Sequence, residues 1–411
     1  MGIKIFKELR STRAGAAAYV LTLALGFLAV AGVVSGLVIS TCACGDAQDR
    51  VLYPVRGNGG ERSAQGGVST PQGWRVLDGV SYENLTIFPV VTRAEANTSG
   101  FATLDEALGS GEATVSEGGG QILRRSRDGR PLPYSGGPQV NQLVLVNRGK
   151  RPLVLLAGEV VTGGKQDRVI AKDRIVPPGA EPLPLDVFCV EHGRWTGASN
   201  QFNASKFMVH PSVREKAAVD QKQDEVWAAV RSGTTAAAPP SAEMAAPARV
   251  SRDAISGAIA NEAQSEAYAK VYGGGRVGQS VDAFAEEISR RFEKATAGLK
   301  GERVIGVVVA YGGEVAWSDA FASEHFFRIY WPKLLKSYAV EALARPRLRE
   351  RATRDEAREF LEPLRGRVNE ESEPGVYRWR QTSQGRYAEI GLESLAPKAV
   401  LLHWVKIQKT S

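Results

Sequence analysis

Apolar residues are distributed along this chain in three ways. From Ala14 to Ile39 they form one unbroken run with no charged residue and no polar face. Later stretches are short, β-branched or aromatic, and bounded by Gly, Pro or Asn; these include Tyr82–Val91, Leu143–Val146, Leu153–Leu156, Val169–Ile170, Ile175–Val176 and Arg303–Ala310. Others repeat at three- and four-residue steps, as one face of a helix does. The short runs predict strands and the stepped runs predict helices.

The strands carry their own punctuation. Asn147 to Lys150 separates two apolar runs and predicts a hairpin, and Gly312-Gly313 predicts a second one joining Arg303–Ala310 to Glu314–Trp317. Pro89 marks an edge or an end of the first strand. Along Val187 to Trp195, Val187, Cys189, Glu191, Gly193 and Trp195 share one face, and Phe188, Val190, His192 and Arg194 share the other. Two faces that both mix apolar and charged residues suit a strand leaving the core to enter a site.

Helix starts are equally legible. Thr103 with Glu106, and Thr353 with Glu356, have the capping-box spacing. Ser280 is placed to cap a helix whose stripe is Val281, Phe284, Ala285, Ile288 and Phe292. Helices are also expected after Pro211 and from Ser251 to about Tyr272. The strongest stripe runs from Phe326 through Tyr330, Leu334 and Tyr338, with Pro332 either kinking that helix or starting its main section. With closing strands at Tyr387–Ile390 and Val400–Ile407, the fold class is α+β: a mainly antiparallel, β-rich core with packed helices.

The first run changes the picture most. Ala14–Ile39 exceeds the roughly 20 residues a membrane helix needs and the roughly 7–15 of a signal-peptide core. Lys4, Lys7, Arg10 and Arg13 precede it, so residues 1–13 read as a cytoplasmic flank and the body as extracytoplasmic. The expectation is a single-pass membrane protein, with a long cleaved signal or a lipoprotein acylated at Cys42 as alternatives. Residues 40–75 read as a flexible stalk, 76–345 as the α+β domain with an Ala/Pro-rich insertion at 234–250, and 346–411 as a C-terminal helix and closing strands.

Of the formal charge of +7, the four leading bases less Glu8 supply +3. The remainder is too small over this length to argue for nucleic acid, and the Arg residues between Arg345 and Arg386 alternate with acids as a salt-bridged surface does. Three cysteines exclude a disulfide framework. The four histidines, His192, His210, His325 and His403, lack metal-ligand spacing, and no cofactor motif is present. Cys189 and His192 are three apart on a strand and face opposite ways, which excludes a dyad without a bulge.

Candidate chemistry concentrates between Gly158 and Trp195. Gly163 and Gly164 permit close backbone approach to a ligand, and Lys165, Gln166, Arg168 and Arg194 are suited to an anionic group. Glu159 and Glu191 are the candidate general bases, should burial raise their pKa. The alternative is that Glu159 and Glu191 pair with Arg168 and Arg194 and brace two strands.

YENLTIFPV from Tyr82, AGEVVTGGKQDR ending at Arg168, CVEHGRW ending at Trp195, QDEVW from Gln223, and the block from Val304 to Ala339 together resemble one family. It is the ARG and Rhodanese-Phosphatase-superfamily-associated Protein domain, a prokaryotic family of unknown function. The likeness covers about residues 80 to 345 and departs at Asp167, where the family usually carries Asn. Its name implies association with ADP-ribosylglycohydrolases and rhodanese-phosphatases, not a reaction. Three functions are therefore expected in order: a membrane-anchored binding or interaction module for a small anionic or nucleotide-like ligand, a hydrolase of a nucleotide- or ADP-ribose-like substrate, and a structural envelope protein.

Overall fold

The computed structural model describes residues 73–117, 142–179, 181–191, 199–235 and 268–410, with the backbone of the two-residue strands 124–125 and 131–132. All belong to one compact unit, Arg56–Ser411. The Ala14–Ile39 run, the residues around Cys42 and most of the Ala/Pro insertion lie outside the described residues. Among the described residues, no helix is long and apolar enough to cross a membrane.

The fold is α+β and its strand pairing is almost entirely antiparallel. A nine-stranded sheet runs in the order Arg75–Val76, Leu85–Thr92, Arg303–Tyr311, Glu314–Phe321, Val400–Gln408, Tyr387–Ser394, Tyr377–Gln384 and Arg367–Glu373, with Val80–Tyr82 also pairing on Leu85–Thr92. The predicted hairpin at Gly312-Gly313 is present. Pro89 lies inside the sheet, not at its edge, because the strand covering it is interrupted. Pro89 O accepts Leu77 N–H, so its missing N–H faces the gap between Val76 and Val80.

Both faces of this sheet are covered, which explains the continuous apolar run of Arg303–Tyr311. Val307, Val309 and Tyr311 pack under the long helix Glu324–Ala344 and the helix Gly275–Thr296. Ile305, Val308 and Ala310 pack beneath the short helix Arg354–Phe360. Both capping boxes form. The long helix carries Pro332 in its interior. The Gly275–Thr296 helix starts earlier than Ser280 predicts; Gly274 is its N-cap, and Ser280 Oγ bonds back to Arg276 O within it.

Six further strands close into a barrel: Glu159–Gly163, Arg168–Ile170, Leu183–Cys189, Gln142–Asn147, Ala113–Glu117 and Gln201–Met208. The hairpin expected at Asn147–Lys150 does not form. Gln142–Asn147 stays in the barrel, while Leu153–Leu155 joins a separate sheet with Arg174–Val176 and Ala102–Thr103. Asn147 redirects the chain, its amide donating to the carbonyls of Arg151, Val176 and Pro177.

Apolar doublets join barrel to body. In Val160-Val161, Val169-Ile170, Val154-Leu155 and Ile175-Val176 the first residue enters the large core and the second the barrel core. Neighbouring strand residues face opposite ways, so each doublet serves both cores. Each buried side chain contributes about 1.5–3 kcal/mol.

Candidate functional site

The Gly-Gly turn closes one end of the barrel. Gly163 has φ 134° and Gly164 φ 51°. A Cβ on Gly163 would lie 2.5 Å from Gln201 O, and one on Gly164 would lie 2.4 Å from the Phe202 ring. Glycine is therefore dictated by close packing as well as by backbone angle.

Three carboxylates then fix the turn by accepting its backbone N–H groups. Asp167 Oδ1 takes Gly163 N–H at 3.1 Å, Glu117 Oε1 takes Lys165 N–H at 2.6 Å, and Glu191 Oε2 takes Asp167 N–H at 3.0 Å. Lys165 Nζ lies 3.9 Å from Glu117 Oε2, with its side chain 35% exposed. Gln166 and Arg168 are buried.

Arg168 is the unusual member. Its side chain donates from Nη1 to Gln166 O at 2.8 Å, Gln166 Oε1 at 3.4 Å and Asp167 O at 3.3 Å, while Nε has no partner. Among the described residues no carboxylate lies within ion-pair distance of it. Burial holds its pKa below the usual arginine value, yet a guanidinium remains charged at neutral pH. Cys189 is its cross-strand neighbour, fully buried, with its thiol pKa pushed up by burial. Gln223 brackets the Cys189 backbone, accepting its N–H and donating to its carbonyl. Cys189 is thus a packing residue.

The strand Leu183–Cys189 stops two residues short of Glu191; Arg194, Trp195 and His192 lie outside the described residues. The described ends flanking residues 192–198 lie at this same barrel end, through Glu191 and through Asn200, whose carbonyl accepts Glu117 N–H. Gly163, Gly164, Lys165, Gln166, Arg168 and Glu191 therefore come together.

Glu159 does not join them. It stands at the far end of the Glu159–Gly163 strand, four residues or roughly 13 Å from Gly163 and two residues from Val161, the cross-strand neighbour of Arg168. Its Oε2 accepts Leu156 N–H at 2.9 Å, and Lys333 Nζ lies 3.6 Å from Oε1. The expected pairing with Arg168 is replaced by one with the long helix. Burial pushes the Glu159 pKa up to about 7, against the pull of Lys333.

The most heavily charged centre was not anticipated from the sequence. Arg214 grips Asp319 with two bonds of 2.8 and 2.9 Å, and Trp317 and Tyr338 also donate to Asp319. His403 sits between Asp173 at 2.6 Å and Asp319 at 3.2 Å. All four charged residues are at most 2% exposed. Two acids and two cations balance, and they link strands of the main sheet to the barrel-side loop at Asp173. Beside it, Glu341 holds Arg345, Ser212 and Thr234. The available signal was a titratable residue in the interior of a largely apolar strand, as at Asp319 in Glu314–Phe321 and His403 in Val400–Gln408.

A surface cleft of about 160 Å³ lies away from all of this, between the Tyr82–Glu83 turn and Arg276, Gln279 and Phe284. It is small beside the roughly 300–1,000 Å³ of ligand pockets. Among the described residues, no cluster of three or more His, Cys, Asp or Glu is arranged to hold a metal.

No curated protein and no solved structure matches this chain. A family model does, over residues 73–406, which takes in the main sheet, the barrel and the Gly163–Arg168 turn. The chain belongs to the family of the ARG and Rhodanese-Phosphatase-superfamily-associated Protein domain.

Proposed function

We propose that this chain is a membrane-anchored, extracytoplasmic binding module whose barrel end, at Gly163–Arg168, takes a small anionic, nucleotide-like ligand. The observation that carries the reading is Arg168: a buried guanidinium that donates to backbone and amide oxygens. Its Nε has no hydrogen-bond partner, and Glu117, Asp167 and Glu191 act on it from nearby without a direct ion pair. A buried charge held that way is costly, and a ligand anion would pair with it directly.

The neighbouring acids narrow the ligand class. Glu117, Asp167 and Glu191 surround the two cations, and together they oppose a bare anion. Carboxylates accept hydrogen bonds only, so a ligand offering hydroxyl donors beside its anionic group fits better than phosphate alone. A sugar phosphate or nucleotide has that combination.

The test is thermal denaturation of the full chain in detergent with AMP, ADP-ribose or inorganic phosphate, alongside a Lys165→Ala, Arg168→Ala double variant. At a hundredfold excess over Kd, ligand stabilises by about 2.7 kcal/mol, a rise of several degrees in Tm. The nucleotides are expected to shift wild type, phosphate to shift it less, and the variant to respond to none. Equal shifts in both proteins would remove this site.

Placement of the body outside the cytoplasm rests on the uncharged Ala14–Ile39 run and its basic flank. A reporter active only outside the cytoplasm, fused after Ser411, should work. A silent reporter there, with a cytoplasm-dependent one active, would reverse the topology. The hydrolase reading has one observation in its favour, the near-neutral pKa of Glu159, but that carboxyl is fully buried and engaged with Leu156 N–H and Lys333. The envelope-structural reading gains if no ligand shifts the protein.

A further inference from the structure

Glu159 opens a barrel strand with 0% exposure, and its two carboxylate oxygens are treated differently. Oε2 accepts Leu156 N–H, while Oε1 has no hydrogen-bond partner. The next N–H along, that of Ala157, goes to Asp173 Oδ1 at 2.7 Å, so successive backbone groups hold two acids close together. On the long helix, Tyr330 lies one turn before Lys333, and its buried phenol oxygen also lacks a partner. Lys333 Nζ is 2.6 Å from Asp105 Oδ1 as well as 3.6 Å from Glu159. It therefore bridges a sealed acid and one whose side chain is 39% exposed.

The groups facing Glu159 come from every element around it. Lys333 and Tyr330 belong to the long helix, Asp105 to the short helix Leu104–Gly109, whose Glu106 acts on Tyr330, and Asp173 to the loop before Arg174–Val176. His403 lies behind Asp173. Among these acids and Tyr330, one lysine is the nearest cation, and Asp105 already occupies it at shorter range.

We propose that Glu159 is a proton-operated latch between the barrel and the long helix, closed while the carboxyl keeps its proton and loosened when it loses it. Protonated, Glu159 buries no charge, and Lys333 is left to Asp105. Ionised, it places a carboxylate beside Asp173 in low dielectric, where the main offset is Lys333, 3.6 Å from Oε1 and held more closely by Asp105 at 2.6 Å. The strand it opens is the one that ends in the Gly163–Gly164 turn.

The direction with pH follows from burial, which raises the pKa to about 7. An unfolded glutamate ionises near its ordinary value of about 4.3. The latch contribution is therefore complete below that value and is lost as pH rises through about 7. In that window the unfolding equilibrium constant rises by up to about tenfold per pH unit.

The experiment compares urea unfolding of the full chain with Glu159→Gln from about pH 5 to about pH 8. Glutamine keeps an acceptor for Leu156 N–H but has no proton to lose. The wild-type rise is expected, and its portion up to about pH 7 should be absent from the variant. Amide exchange at Leu156 to Gly163, compared at one pH near 8, should be at least several-fold faster in wild type. Parallel pH curves with equal exchange would overturn the proposal. Should Glu159→Gln fail to fold, carboxyl-labelled wild type decides by infrared titration. A buried protonated carboxyl present near pH 6 and gone near pH 8 supports the latch, and its absence at both overturns it.

Discussion

Asp319→Asn should lower the stability of this protein by about 3–5 kcal/mol, read as a fall in the urea midpoint with an unchanged slope. Asp319 is fully buried and receives Arg214 twice, Trp317, Tyr338 and His403. Burial alone would raise its pKa, but Arg214 above all, with His403, holds it well below the usual carboxylate range. Removing its charge leaves two buried cations facing Asp173 alone. Arg214→Met in the same background should add much less than it costs alone, because members of one network do not contribute independently. A small cost for Asp319→Asn, below about 1 kcal/mol, would mean that the network is not what joins the sheet to the barrel side.

The second large effect is a loss of stability on the alkaline side. Burial opposes a charge on His403, but Asp173 first and then Asp319 outweigh it, raising the pKa to about 9. An unfolded histidine titrates near 6.5. The stabilisation is therefore complete below about pH 6.5 and disappears as pH climbs through about 9. It amounts to something on the order of 3 kcal/mol. Unfolding free energies for wild type and His403→Gln across that range should converge at the alkaline end. Curves that stay parallel would place the proton elsewhere. The Glu159 window ends near where this one gains weight, so the two variants separate them.

Much of the framework was readable because the signals are local. The capping boxes at Thr103 and Thr353, the Gly312-Gly313 hairpin and the stripe from Phe326 to Tyr338 each depend on residues a few positions apart. Barrel closure does not. Its strands are short, and what joins Gln142–Asn147 to Ala113–Glu117 and Leu183–Cys189 is a register between distant segments. Asn147–Lys150 resembled a hairpin turn because local pattern cannot show that Asn147 anchors to Val176. The strands Arg367–Glu373 and Tyr377–Gln384 were read as a salt-bridged surface. That surface is present, with Arg380 on Glu370 and Arg378 on Glu393, but the apolar alternation that marks a strand is weak in the charged edge strand.

The candidate site divides in the same way. The Gly163–Arg168 cluster is contiguous in sequence, so its members were found together. Glu159, only four residues from Gly163, was grouped with them because a strand pattern gives no sign of which end of the strand carries the chemistry. Its partner Lys333 lies on a distant helix. The Asp173–His403 contact spans 230 positions, and no spacing motif reaches so far.

The central claim is that Arg168 recruits the anionic group of a ligand at the barrel end. Titration calorimetry of ADP-ribose into the full chain and into Arg168→Met, at low and at raised salt, tests it most directly. Wild type should bind saturably, more weakly as salt rises, and a folded Arg168→Met should show no detectable binding. Equal binding by both proteins, or none by wild type, would contradict it.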